Sequence, residues 1–138
     1  GVTAEDYKKH LIDACDKLRR YPISFISSKT GKNVVDTLSV LMVLDANLDF
    51  KASTPFLNNI FEDNNPSKVR VPRSKKRPNF FYIVQTKSRP IHFKFFVNDP
   101  SCVLSAHISF IENRLRDNLP ILGIPIKIAI ARSRKEKR

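Results

Sequence analysis

The stretch SKKRPNFFYIVQTKSRPIHFKFF, residues 74–96, decides how this chain is read. It holds two runs of aromatic and β-branched residues, Asn79–Thr86 and Ile91–Val97, joined by Lys87, Ser88, Arg89 and Pro90. A short polar link between two β-prone runs is the pattern of a hairpin. In the second run Ile91, Phe93, Phe95 and Val97 alternate with His92, Lys94 and Phe96, so one face of that strand is apolar and the other mixed. The first run is apolar on both faces. Around both lies a cationic collar of Lys75, Lys76, Arg77, Lys87, Arg89 and Lys94, and no Asp or Glu occurs between Asn64 and Asn98.

Moving outward toward the C-terminus, Asp99 and Pro100 lead into a helix with an apolar stripe of Leu104, His107 or Ile108, Ile111, Leu115 and Leu119. Pro120 and Gly123 end it. A last strand follows from Pro125 to about Ala131, with Ile126, Ile128 and Ile130 inward and Lys127 outward, and then a basic tail from Arg132 to Arg138. On the N-terminal side, Thr54 is expected to cap a helix carrying Pro55 in its first turn and Phe56, Leu57, Ile60 and Phe61 on its apolar face. Asn64, Asn65 and Pro66 close that helix. Ser67 to Arg77 then reads as an exposed loop with six positive charges between Lys68 and Arg77. The order helix, strand, strand, helix, strand predicts an α+β domain over residues 50–138, its helices covering one face of a three-stranded sheet.

Residues 1–49 read differently. Thr3 and Asp6 form a capping box for a helix with apolar positions Tyr7, Leu11, Ala14, Cys15 and Leu18, expected to end near Arg19 and Arg20. Pro22 blocks its continuation, Ile23–Ser27 reads as a short strand, and Val34, Val35, Leu38, Leu41, Met42 and Val43 supply the buried stripe of a second helix. This α-β-α piece is apolar yet too short for its own core. It is expected to be the end of a larger α/β domain.

Charge separates the same two regions. Residues 1–65 carry eight Lys or Arg against nine Asp or Glu, a net of −1, whereas residues 66–138 carry seventeen against four, a net of +13. So basic a domain is suited to a polyanion, because each neutralised phosphate releases counterions. The phosphate-contacting candidates are Lys68, Arg70, Arg73, Lys75, Lys76, Arg77, Lys87 and Arg89, with Arg132, Arg134, Lys135, Lys137 and Arg138 as a second group. The aromatics Phe80, Phe81, Tyr82, Phe93, Phe95 and Phe96 belong first to the core. Tyr82 and Phe96 are the two that retain a chance of meeting a partner.

No run approaches the roughly 18 apolar residues of a membrane-spanning helix, no basic segment precedes an apolar core at the N-terminus, and no helix pairs a basic face with a large apolar one. The expectation is a cytoplasmic chain that does not engage membrane. Cys15 and Cys102 are isolated and read as reduced, buried thiols. His10, His92 and His107 stand apart from any second ligand at metal spacing. No Ser, His and Asp set and no carboxylate pair suggests catalysis.

Two stretches carry a family resemblance. FFYIVQTKSRPIHFKFFVNDP, residues 80–100, and FIENRLRDNLPILGIPIKIAIARSR, residues 110–134, resemble the C-terminal domain of the bacterial tandem GTPases of the Der or EngA family. The resemblance rests on Gln85, on Pro90 with Phe93, on Phe96-Val97-Asn98-Asp99-Pro100, on Glu112-Asn113-Arg114-Leu115-Arg116-Asp117, and on Gly123-Ile124-Pro125-Ile126-Lys127-Ile128. Residues 23–38, ISFISSKTGKNVVDTL, look like the end of that family's second GTPase domain. Ser27-Ser28-Lys29 matches its fifth guanine-nucleotide motif, usually Ser-Ala-Lys, in which the middle N–H reads the guanine oxygen; Ser28 keeps that N–H.

The resemblance implies a KH-like C-terminal domain preceded by a remnant of a GTPase domain, in a protein that contacts ribosomal RNA during assembly of the large ribosomal subunit. GTP and Mg would belong to the parent protein, with no cofactor in this fragment. With only Gly1, Gly31 and Gly123, and neither a GxxxxGK[ST] loop nor an NKxD motif, the chain is expected to begin after the latter and to lack GTP hydrolysis. No GxxG loop is present, so the usual KH backbone clamp is not expected. The expected partners are ribosomal RNA of the large subunit and the GTPase domains of the same chain. A second reading makes the domain an intramolecular regulatory module that docks on those GTPase domains and couples nucleotide state to ribosome binding.

Overall fold

The computed structural model describes residues 1–133, and Arg134, Lys135, Lys137 and Arg138 of the basic tail lie outside the described residues. The chain divides into two compact units, the first comprising Gly1–Leu48 with Ile121–Ile124 and the second Asp49–Pro120 with the chain from Pro125 onward.

In the first unit, α1 (Ala4–Ala14) starts at the expected capping box: Thr3 Oγ1 accepts from the Asp6 N–H, and the Asp6 carboxylate accepts from the Thr3 N–H at 2.9 Å. The helix ends earlier than its periodicity suggests. Cys15 turns extended, with φ −148°, and the chain continues as a 3-10 turn over Asp16–Arg20. Ile23–Ser27, expected as a strand, carries no ladder: a strand needs a neighbour to receive its backbone bonds, and none exists in this unit among the described residues. α2 (Val34–Leu48) forms where expected, but its apolar stripe is not buried; Val35 is 73% exposed and Met42 74%. Cys15 is likewise exposed, correcting its reading as a buried thiol. Ile121 and Ile124 are the residues of this unit that are fully enclosed.

The second unit has a core. Its elements are α3 (Thr54–Ile60), β1 (Phe80–Lys87), β2 (Ile91–Val97), α4 (Ser105–Asn118) and β3 (Ile126–Arg132). The helix cap falls one residue before its expected position: Ser53 Oγ accepts from the Phe56 N–H, and Pro55 occupies the first turn, where no N–H is required. The strands form one sheet in the order β1-β2-β3, with β1 antiparallel and β3 parallel to the central β2. A parallel β2–β3 pair requires a crossover, and α4 lies within it.

Period-two alternation sends Ile91, Phe93, Phe95 and Val97 to the covered face, all at 0–1% exposure. Phe61 of the α3 C-terminus and Phe80 of β1 meet the Phe95 ring edge-on, at centroid distances of 5.2 and 5.0 Å. Leu57, Ile111, Leu115 and Leu119 close this layer from the helices. Burying one such side chain stabilises the fold by about 1.5–3 kcal/mol, so the Phe-rich β2 is the strongest single contributor. His107 belongs to the same layer, fully buried, and its Nδ1 accepts the Leu104 N–H at 2.9 Å, closing the first turn of α4.

Candidate nucleic-acid interface

The loop between α3 and β1 carries the densest charge, and its two ends are fastened. Asn65 Nδ2 donates to the Phe80 carbonyl at 3.1 Å, while Ser67 Oγ accepts the Phe80 N–H at 3.0 Å. Asn65 Oδ1 in turn accepts from both the N–H and the hydroxyl of Ser67. Pro66 and Pro78 are buried at the two roots. Between them Arg70, Arg73, Lys75, Lys76 and Arg77 are all exposed, and the Lys75 N–H donates to the Pro72 carbonyl, making a turn at the tip. Lys68, at the first root, caps the Asp63 carbonyl through Nζ at 2.9 Å. The sequence-predicted cations of residues 68–77 are thus gathered on one loop held against the start of β1.

Other candidates are differently placed. Lys87 is exposed at the end of β1. Arg89 is engaged in a two-pronged pair with Asp49, Nε to Oδ1 at 2.7 Å and Nη2 to Oδ2 at 3.0 Å. That pairing holds the Asp49 carboxyl below the usual carboxylate range. A guanidinium whose fork is filled this way is less available to phosphate than the loop cations. Arg132 lies 3.5 Å from the Asp99 carboxylate, whose acidity is raised mainly by the Ser101 hydroxyl and N–H that it accepts, with Arg132 adding to it.

The sheet face opposite the helices is the feature that sequence reading only partly reached. Cross-strand register places Tyr82 beside Phe96 and Ala131, Val84 beside Lys94 and Ala129, and Lys87 beside His92 and Lys127. Alternation in β2 alone assigns Phe96 and Lys94 to this face; the bulge between Phe80 and Tyr82, invisible in the sequence, turns Tyr82 to join them. The rings of Tyr82 and Phe96 stack at 4.5 Å and 17°, and Tyr82 is 41% exposed. Phe80, Phe93 and Phe95 are core residues.

In the first unit, Ser27, Ser28 and Lys29 form a turn. The Ser27 carbonyl accepts the Gly31 N–H at 2.8 Å, Ser27 Oγ accepts from the Thr30 N–H, and Asn33, at φ 62°, reaches back to the Phe25 carbonyl. Ser28 and Lys29 are exposed, and among the described residues nothing bonds the Ser28 N–H.

An open groove of about 670 Å³ beside α3 and β1 is lined by Phe56, Asn58, Phe61, Glu62 and Asn65 among others, with Glu62 the ionisable side chain of its lining. Among the described residues no three metal-ligating side chains converge, and no helix is long and apolar enough to cross a membrane.

A three-stranded mixed sheet with helices on one face, edged by a basic loop, defines an α+β module of the KH-like class. A family profile described as "KH-domain-like of EngA bacterial GTPase enzymes, C-terminal" matches residues 51–130. The chain belongs to that family. It is 33% identical over 127 residues to GTPase Der of Halothermothrix orenii, covering 91% of this chain and 29% of the relative. GTPase Der of Clostridium botulinum strain Okra is 33% identical over 135 residues, 98% of this chain and 30% of that protein, and the protein of the same name from Treponema pallidum is 30% identical over 130 residues, 94% and 28%. The chain therefore spans less than a third of the length of these relatives.

Proposed function

We propose that this chain is the C-terminal part of a Der-type tandem GTPase, and that its KH-like unit contacts ribosomal RNA in assembly of the large ribosomal subunit in the bacterial cytoplasm. The observation that carries the reading is the fastened loop, which presents Arg70, Arg73, Lys75, Lys76 and Arg77 together to solvent, with Lys68 at its root. GTP hydrolysis would belong to the parent protein. To its nucleotide site this chain would contribute the Ser27-Ser28-Lys29 turn, whose open Ser28 N–H fits a guanine oxygen acceptor, while its sequence holds no GxxxxGK[ST] phosphate loop.

The test is a salt titration of binding to ribosomal RNA and to a non-ribosomal duplex. The expected result is a steep fall of log affinity with log salt and a several-fold preference for ribosomal RNA. The triple variant Lys75→Glu, Lys76→Glu, Arg77→Glu should weaken binding by about 10-fold or more, taking roughly 0.5–1 kcal/mol or more per reversed charge. Equal binding of both RNAs, or none near physiological salt, would remove the proposal.

A second reading, in which the KH-like unit docks on the GTPase domains and couples nucleotide state to ribosome binding, draws support from the Tyr82–Phe96 ring pair on its sheet face, with Tyr82 41% exposed. Under that reading the charge reversal spares nucleotide coupling, whereas Tyr82→Ala disrupts it.

A further inference from the structure

We infer that the open face of the sheet is a stacking platform for single-stranded RNA, separate from the basic loop. The inference rests on the RNA-contacting reading above and deepens it by assigning the chemistry of the bound segment. Three observations converge. First, the face carries two aromatic rings already nearly parallel to one another, Tyr82 and Phe96, with Tyr82 open to solvent. A core aromatic packs edge-on into neighbours, as Phe61 and Phe80 do around Phe95; a flat ring pair at the surface instead offers a π-face on which a base can lie.

Second, the charge on this face has one sign. Lys94 occupies the row next to the rings and Lys87 and Lys127 the row beyond it, and no acid occurs at any of the register positions on this side. Successive rows along a strand are about 7 Å apart, so Lys94 lies about 7 Å and Lys87 and Lys127 about 14 Å from the ring row, all to one side, where the phosphates of a strand leading away from a stacked base would run. Third, the neighbouring strand is pared down there. Ala131 adjoins Phe96 and Ala129 adjoins Lys94, leaving room beside the ring for a planar group. A duplex, whose bases are already stacked and paired, cannot use such a surface. Unpaired bases can.

A protein partner would also bury Tyr82 and Phe96. The lysines argue for the polyanion, because a protein surface placed here would have to supply carboxylates at three separate positions.

The experiment uses the 138-residue chain, a labelled single-stranded RNA of mixed sequence and a duplex of equal length, with affinities measured by fluorescence anisotropy. Tyr82→Ala is expected to weaken single-strand binding by about 5- to 100-fold and to leave duplex binding within about two-fold. Tyr82→Phe should retain the single-strand affinity, since the ring and not the hydroxyl stacks. The lysine-loop triple variant should weaken both RNAs. Circular dichroism melts verify that Tyr82→Ala still folds. Ring-proton shifts of Tyr82 and Phe96 on adding single-stranded RNA to the unsubstituted chain give a readout that needs no variant.

If Tyr82→Ala binds single strands as the parent does, and the ring protons do not move, the platform is overturned while the loop reading survives. A parent chain that binds neither RNA overturns both. Ring shifts that follow protein concentration without RNA would make the face a protein interface and also overturn the inference.

Discussion

His107 is a fully buried imidazole packed beside the Phe80 ring. Burial lowers its pKa below the ordinary value. The unfolded chain therefore takes up a proton near pH 6.5 that the folded chain resists, and stability is fully present above that pH and declines as the pH falls below it. Urea melts at about pH 7.5 and about pH 5.5 should show the loss. His107→Gln keeps an acceptor at the third helical position for the Leu104 N–H and cannot titrate, so it should remove this part of the acid dependence, at a neutral-pH cost of about 1–2 kcal/mol for the missing ring packing against Phe80. A variant as acid-sensitive as the parent would place the titrating group elsewhere. Gly123 is a second position where one residue type fits. Its φ is +76°, and a Cβ there would lie 2.7 Å from Pro22 Cδ and 3.0 Å from Leu44 Cδ2. Gly123→Ala should cost about 2–4 kcal/mol, combining left-handed strain with overpacking, read as a lower melting temperature of the first unit.

At the level of elements, β1 is an edge strand whose open backbone is answered by a side chain. Asn58 of α3 accepts the Ile83 N–H at 2.9 Å and donates to the Ile83 carbonyl at 3.0 Å, as a neighbouring strand would. Gln85 fastens the same strand lower down, bonding the Ala52 N–H and the Phe50 carbonyl. Asn58→Ala leaves both groups of Ile83 unpaired and should destabilise the second unit by about 2–3 kcal/mol, with an increased tendency to aggregate through the freed edge; unchanged melting would mean that water replaces the amide. These elements also separate what could be read in the sequence from what could not. The three strands and α4 were legible because Ile91 to Val97 and Ile126 to Ile130 alternate, and because Pro120 and Gly123 punctuate. The Ser53 cap, the bulge before Tyr82 and the Asn58 bridge were not, since each depends on a partner far along the chain or on a one-residue shift that leaves periodicity intact. Ile23–Ser27 failed as a strand for the complementary reason: its residues suit a ladder that the described unit does not contain.

For the whole molecule, charge and core are unevenly shared. The first unit carries its apolar side chains on the outside of α2, while the second holds a closed Phe-rich layer and most of the positive charge. The candidate cations were legible in composition, but their availability was not. Arg89 is claimed by Asp49, whereas among the described residues no carboxylate pairs with the cations between the two buried prolines. Replacing Lys75, Lys76 and Arg77 with Ala should flatten the salt dependence of RNA binding by about 0.7–0.9 in slope for each phosphate no longer neutralised, without lowering the melting temperature, because all three side chains stand in solvent away from the core. A variant that loses affinity with no change in slope would mean that these residues act through folding.

The fastening of that loop has a consequence for how such a domain can change over time. Asn65, Ser67, Pro66 and Pro78 hold the two roots, so the intervening chain hangs from fixed points and the sheet does not register its length or composition. Doubling a flexible loop costs only about 0.6 kcal/mol in closure entropy. The grip on RNA can therefore be adjusted one charge at a time, as on a dial, while the hydrophobic layer beneath is left alone.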